Sequence, residues 1–182
     1  MVNDVEDDVK LVLELFLCAR QDKEAVCFHH CQTDITGSRS DPDTLMRAEL
    51  IRLGLINGHA ARYAHSTSWR YETGRTLLTY LVWVDRRILQ GLRTCRLSLN
   101  SAGSPRSSGP LAPRPDTLCR EDVLLHALRH LRYLIVERKD AWVAENVGGR
   151  ATCDLLCRLE PALAGRIAPA PDQESASLTA MQ

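Results

Sequence analysis

The stretch Tyr63-Ala-His-Ser-Thr-Ser-Trp-Arg-Tyr-Glu72, then Thr73-Gly74, then Arg75-Thr-Leu-Leu-Thr-Tyr-Leu-Val-Trp-Val84 constrains the fold of this chain more than any other. Aromatic and β-branched residues on both sides of a glycine-containing turn predict a β-hairpin, with Glu72 and Arg75 placed to pair beside the turn. A strand alternates its side chains with period two. Strict alternation puts Tyr63, His65, Thr67, Trp69 and Tyr71 on one face and Ala64, Ser66, Ser68, Arg70 and Glu72 on the other. One face is then large and apolar, the other small and polar.

Such a hairpin needs further strands and a cover. Leu11 to Ala19 is apolar on both faces of a strand, interrupted by Glu14, as expected of a strand covered on two sides; a helix over Val5–Arg20 fits nearly as well, and periodicity leaves the two open. Asp41 to Gly54 has a capping Asp41, Pro42 at the first helical position and Gly54 to close the carboxy end, with Leu45, Ala48, Leu50, Ile51 and Leu55 as its apolar residues. Arg120 to Lys139 carries Leu124, Leu128, Leu131 and Ile135 in helical register. Gly148-Gly149 then breaks the chain before a second helix, Ala151 to about Leu159, burying Leu155, Leu159 and Leu163. The expected fold class is α/β or α+β: a mostly antiparallel sheet around a central hairpin, with flanking helices.

Residues 98–116 hold Pro105, Pro110, Pro113 and Pro115 among serines and glycines, too few apolar side chains to offset the entropy of ordering. They are expected to be a disordered linker, and 168–182 a disordered tail. Residues 1–97 then form the sheet-containing part and 117–167 the helical part of the same domain; 182 residues, 45% of them hydrophobic, suit one core. Lys+Arg and Asp+Glu are both 23, so no overall field gathers a polyanion, and neither nucleic acid nor a membrane is an expected partner. The acidic beginning MVNDVEDDVK argues against an export signal, and no apolar run approaches the roughly 20 residues of a membrane span. Seven cysteines, an odd number scattered along the chain, fit free thiols in a reducing compartment; a cytoplasmic location is expected.

Four constellations are candidates for chemistry. His65, Ser66, Ser68, Trp69 and Arg70 bring hydroxyls, an imidazole and a guanidinium together. Ser66, Ser68 and Arg70 are expected to share a face on which Arg70 holds a carboxylate or phosphate and the serines orient it. Neighbouring strand residues point to opposite faces, so a Ser-His nucleophile is not expected from this run. His126 and His130, four apart on a helix, share one side with Tyr133 and Glu137, opposite the leucines. They read as half of a metal or acid/base site, or as a solvated face. Cys27-Phe-His29-His30-Cys31 and Cys153-Asp-Leu-Leu-Cys157 could close a tetrahedral zinc site if the two segments meet, while isolated cysteines more often behave as small core hydrophobes. No catalytic residue and no cofactor is predicted, zinc being the one candidate. The chain contains no GxxxxGK[ST], GxGxxG, HExxH or CxxC pattern.

A first strand, a helix from Asp43 to Leu53 ending at Gly54, and an aromatic hairpin together resemble the middle of a Nudix hydrolase, over about Lys10 to Asp85. Only Arg47 and Gly54 coincide with that family's REUxEExGU helix; its metal-binding glutamates fall at Ala48, Ile51 and Arg52, and its upstream Gly and Glu at Thr33 and Arg39. The resemblance implies a fold layout without an active site, since the magnesium-binding carboxylates are missing. The string HSTSWRYETGRTLLTYLVWV is also similar to the hairpin of uncharacterised bacterial proteins. The leading functional expectation is a non-catalytic domain that binds a small molecule or a protein. The alternatives are a small zinc-binding protein and a divergent Nudix-like hydrolase.

Overall fold

The computed structural model describes residues 10–55, 60–100 and 117–160. Its elements in chain order are β1 (Lys10–Arg20), β2 (Ala25–Asp34), α1 (Pro42–Arg52), β3 (Ala61–Glu72), β4 (Arg75–Val84), α2 (Arg86–Leu89), β5 (Cys95–Ser98), α3 (Arg120–Val136), α4 (Ala141–Asn146) and α5 (Arg150–Leu156). The fold is α+β: a five-stranded mixed sheet in the order β3-β4-β1-β2-β5, with helices on both faces. Three of the four strand pairings are antiparallel; β1 and β4 run parallel. The β3–β4 hairpin forms one side of the sheet with β3 at the edge, and β1, not the hairpin, is the centre.

The apolar run of β1 explains that place. Leu13, Leu15, Leu17 and Ala19 point to the face covered by α1, while Phe16 and Cys18 point to the face covered by α3, α4 and α5. Covering both faces makes strand, rather than helix, the conformation of 10–20, because every side chain from Val12 to Ala19 is then buried; burying one Leu or Phe stabilises by about 1.5–3 kcal/mol. In the helix-rich layer, Leu124, Leu128 and Leu131 of α3, Val143 and Val147 around α4, and Leu155, Leu156 and Leu159 at α5 close over Phe16, Phe28, Leu81 and Trp83.

Local chemistry sets the helix ends. The Asp41 carboxylate accepts from the Thr44 amide at 2.9 Å with Pro42 in the first turn, and Gly54, at φ 74°, closes α1. Asp140 caps α4 by accepting from the Val143 amide at 3.0 Å. The Gly148-Gly149 break between helices lies between α4 and α5, at φ 104° and 65°.

Sequence reasoning did not anticipate β2, β5 or α4. Residues 98 and 99 belong to the fold and not to the expected linker: Ser98 ends β5, and Leu99 is buried, its amide bonded to the Glu24 carbonyl. Residues 101–116 and 168–182, the remainder of the expected linker and the tail, lie outside the described residues. No described helix is long and apolar enough to cross a membrane.

Candidate functional site

The alternation expected along β3 breaks at a β-bulge. Ser66 pairs with Tyr80 and Ser68 with Thr79, so Thr67 is one residue extra on the β3 side. Tyr63 and His65 before the bulge, and Ser68, Arg70 and Glu72 after it, face α3. Ser66, Trp69 and Tyr71 face the α1 side, where Trp69 and Tyr71 are 71% and 50% exposed. Ser66 therefore does not share a face with Ser68 and Arg70, and Trp69 is not inside with Tyr63.

Cross-strand register lays out the α3-facing side as rows. His65, Leu81, Phe16 and His30 form one row, and the helical core stops there. The next three are Ser68–Thr79–Glu14–Gln32, Arg70–Leu77–Val12–Asp34, and Glu72–Arg75–Lys10. Half of the face is thus apolar and under helices, and the other half carries six charged side chains, three of each sign.

Glu14 anchors the polar half. It is the one charged residue in Leu11–Ala19, its side chain is 1% exposed, and a carboxylate in that position requires partners. Arg70 reaches across β4 and donates Nη1 to Glu14 Oε2 at 2.5 Å and Nη2 to Oε1 at 2.8 Å. Thr79 Oγ1 at 2.7 Å, His30 Nε2 at 2.9 Å and Gln32 Nε2 at 3.1 Å also donate to the same carboxylate. Burial alone would push the Glu14 carboxyl up, but Arg70, His30 and Thr79 together hold it well below the usual carboxylate range. Five donors occupy both oxygens, so Glu14 is ionised and has no free lone pair with which to act as base, nucleophile or metal ligand.

Arg70 is equally committed. Besides Glu14, its Nη1 reaches Thr79 Oγ1 at 3.0 Å and its Nε reaches Glu72 Oε1 at 2.8 Å. The guanidinium expected to seize a ligand instead pins the sheet. Glu72 passes the chain of charges on to Arg75, whose Nη2 donates to Glu72 Oε2 at 2.9 Å, as their places beside the turn predicted. Arg75 is half-buried and opens, with Lys10, Val12, Gln32, Asp34, Thr73 and Gly74, onto a cleft of about 520 Å³ at the hairpin end of the sheet. Two cations and one carboxylate line it, and the Glu72 carboxylate paired with Arg75 stands beside it.

A second constellation lies at the boundary of the helical cover. His65 Nε2 and His130 Nδ1 are 3.2 Å apart, with Tyr63 stacked beside His65 and Tyr133 beside His130. Burial, and for His65 the neighbouring His130, pushes both imidazoles below the ordinary histidine range. His126, on the same helix, is likewise lowered by burial and then by His130 and Arg129. The α3 histidines thus do not form a solvated face: all three imidazoles are half-buried.

The cysteine segments do not meet. Cys27 and Cys31 face the α1 layer, while Cys153 and Cys157 sit on or beside α5 in the opposite layer, with the sheet between them. Within β2, residues four apart are separated by roughly 13 Å, too far for one ion. His29 faces the α1 layer and donates Nδ1–H to the Arg93 carbonyl at 2.9 Å, and His30 belongs to Glu14 on the other face. The positions aligned with the Nudix glutamates, Ala48, Ile51 and Arg52, are exposed on α1, whose own Glu49 is buried against Arg52 at 2.6 Å.

Sequence reasoning missed Glu14, Gln32, Thr79 and Lys10. A lone carboxylate in a doubly covered strand was the available signal for Glu14; its partners depend on register and on the bulge. No family model matches this chain, and no curated protein compared with it matches either.

Proposed function

We infer that this chain is a non-catalytic binding domain whose ligand is a small molecule carrying a carboxylate or phosphate, seated in the cleft between Arg75, Lys10 and Gln32. The observation that supports this is the division of labour along the charge chain. Glu14 and Arg70 are consumed internally, so neither is free to act as acid, base or nucleophile. Arg75, held by Glu72 but half open, and Lys10 present donors at a concave surface. An anion entering there meets a guanidinium whose position is already fixed, so little ordering is needed on binding.

Thermal unfolding with inorganic phosphate and with citrate as probes tests the reading. Saturable stabilisation is expected, reaching about 2.7 kcal/mol at 100 times Kd, and it disappears in Arg75→Ala. Stabilisation of equal size in Arg75→Ala, or none with either probe, contradicts it. A protein partner is the second reading, supported by exposed Trp69 and Tyr71 on edge strand β3, the setting that strand addition uses. Trp69→Ser would weaken such a partner without changing the anion response.

A further inference from the structure

We propose that His65 and His130 form a two-histidine site for a divalent zinc-like cation, independent of the anion cleft. His65 Nε2 from β3 and His130 Nδ1 from α3 face each other at 3.2 Å, and no carboxylate intervenes in that contact. Two imidazole nitrogens bound to one zinc at 2.0–2.1 Å with tetrahedral angles stand about 3.3–3.4 Å apart. The observed separation therefore needs an adjustment of only a tenth or two of an ångström. A square-planar ion, with adjacent ligands at right angles, would need about 2.8–2.9 Å, so the spacing favours zinc or cobalt(II) over copper(II) or nickel(II).

The two nitrogens come from a strand edge and a separately packed helix, and aromatic rings flank both. Tyr63 stacks on His65, Tyr133 on His130, and Trp142 meets Tyr63 edge-on. Those rings orient the imidazoles. No third histidine, cysteine or carboxylate joins the two among the described residues, so the remaining coordination positions fall to water or a small anion, which the partial exposure of both histidines admits. Without metal, one imidazole donates its proton to the other. When the cation enters, that proton moves to the outer nitrogen of its own ring, both facing lone pairs bind the metal, and no proton is released. Burial keeps both rings neutral near pH 7, the form that ligates.

The test uses the full chain, freed of metal, with the exposed thiols removed by Cys119→Ser and Cys157→Ser, since thiols compete for the same ions. Cobalt(II) titration is expected to saturate at one ion per chain. The visible bands should be those of a tetrahedral site, without the near-ultraviolet thiolate charge-transfer band. His65→Gln and His130→Gln are each expected to weaken cobalt and zinc binding at least tenfold. Imidazole ¹⁵N shifts of the otherwise unaltered protein provide a readout that needs no histidine variant: zinc should move His65 and His130 and leave His29 in place. The proposal is overturned if binding persists unchanged in both glutamine variants, if the spectrum shows thiolate ligation, or if zinc leaves the His65 and His130 resonances unmoved.

Discussion

Replacing Arg70 by Met removes the guanidinium that spans β4 and keeps an apolar stem over Leu77, so the change isolates the charge. Four hydrogen bonds disappear: two to Glu14, one to Thr79 and one to Glu72. The two to Glu14 are charged at both ends, worth about 1.5–3 kcal/mol each, and the carboxylate left behind is nearly inaccessible. His30, Gln32 and Thr79 still donate to it, which offsets part of the loss. The expected destabilisation near pH 7 is about 3–5 kcal/mol, the range for breaking one side of a buried pair, or roughly 10 °C in Tm for a chain of this size.

The pH dependence carries the sharper signature. In the unaltered protein the folded-state pKa of Glu14 lies below its unfolded value. Its contribution is therefore fully present above about pH 4.5 and is lost as pH falls toward the folded pKa. Without Arg70, burial dominates, the folded pKa rises above the unfolded one, and stability declines as pH rises from about 4.5 up to that raised folded pKa. Urea denaturation from pH 4 to 8 should show the penalty of Arg70→Met growing with pH. The double variant Glu14→Leu/Arg70→Met should recover a large part of it, since no charge is then buried alone. A penalty below about 1 kcal/mol that does not change with pH would mean that Arg70 and Glu14 interact no more strongly than an exposed pair, contrary to their burial.

Histidine titration predicts a second pH effect. Because the folded pKa values of His65, His126 and His130 are lowered, the unfolded state binds more protons just below pH 6.5, so stability falls as pH drops from about 7 toward 5. His130→Gln should flatten that slope in denaturation curves. Gly74 sits at φ 73° in the hairpin turn with open space around the site of a Cβ, so Gly74→Ala should cost about 1–2 kcal/mol from backbone strain alone, measured by the shift in urea midpoint. Thiol labelling of the native protein should modify exposed Cys157 and Cys119 first and leave buried Cys18 last, and a chelator should free no set of four thiols. A simultaneous release of four would contradict the separation of the two CxxxC segments.

How much was legible follows from which interactions are local. The β3–β4 hairpin, the Glu72–Arg75 pair, the caps of α1 and the break at Gly148-Gly149 are each decided within a few residues, and sequence pattern found them. Strand β2 carries little strand signal because its apolar positions are filled by Val26, Cys27, Phe28 and Cys31 amid two histidines, a pattern equally that of a cluster of metal ligands. The bulge at Thr67 had no local signal, yet it decides the site. It turns Arg70 toward Glu14 and turns Trp69 outward, reversing the faces that strict alternation assigned. The four-residue strand β5 was lost for another reason, since its pairing with Ala25–Phe28 is the only thing that marks it as a strand. Glu14 was visible as an interruption of an apolar run, but five donors arriving from β2, β3 and β4 are properties of register and not of spacing.

An anion-binding cleft at the end of the charged half of the sheet should declare itself in backbone amide NMR during titration with inorganic phosphate and with citrate. Saturable shifts are expected at Lys10, Gln32, Thr73, Gly74, Arg75 and their neighbours alone, absent in Arg75→Ala, with the amides of Glu14 and Arg70 nearly still. Shifts that do not saturate, or that cluster elsewhere on the chain, would contradict it.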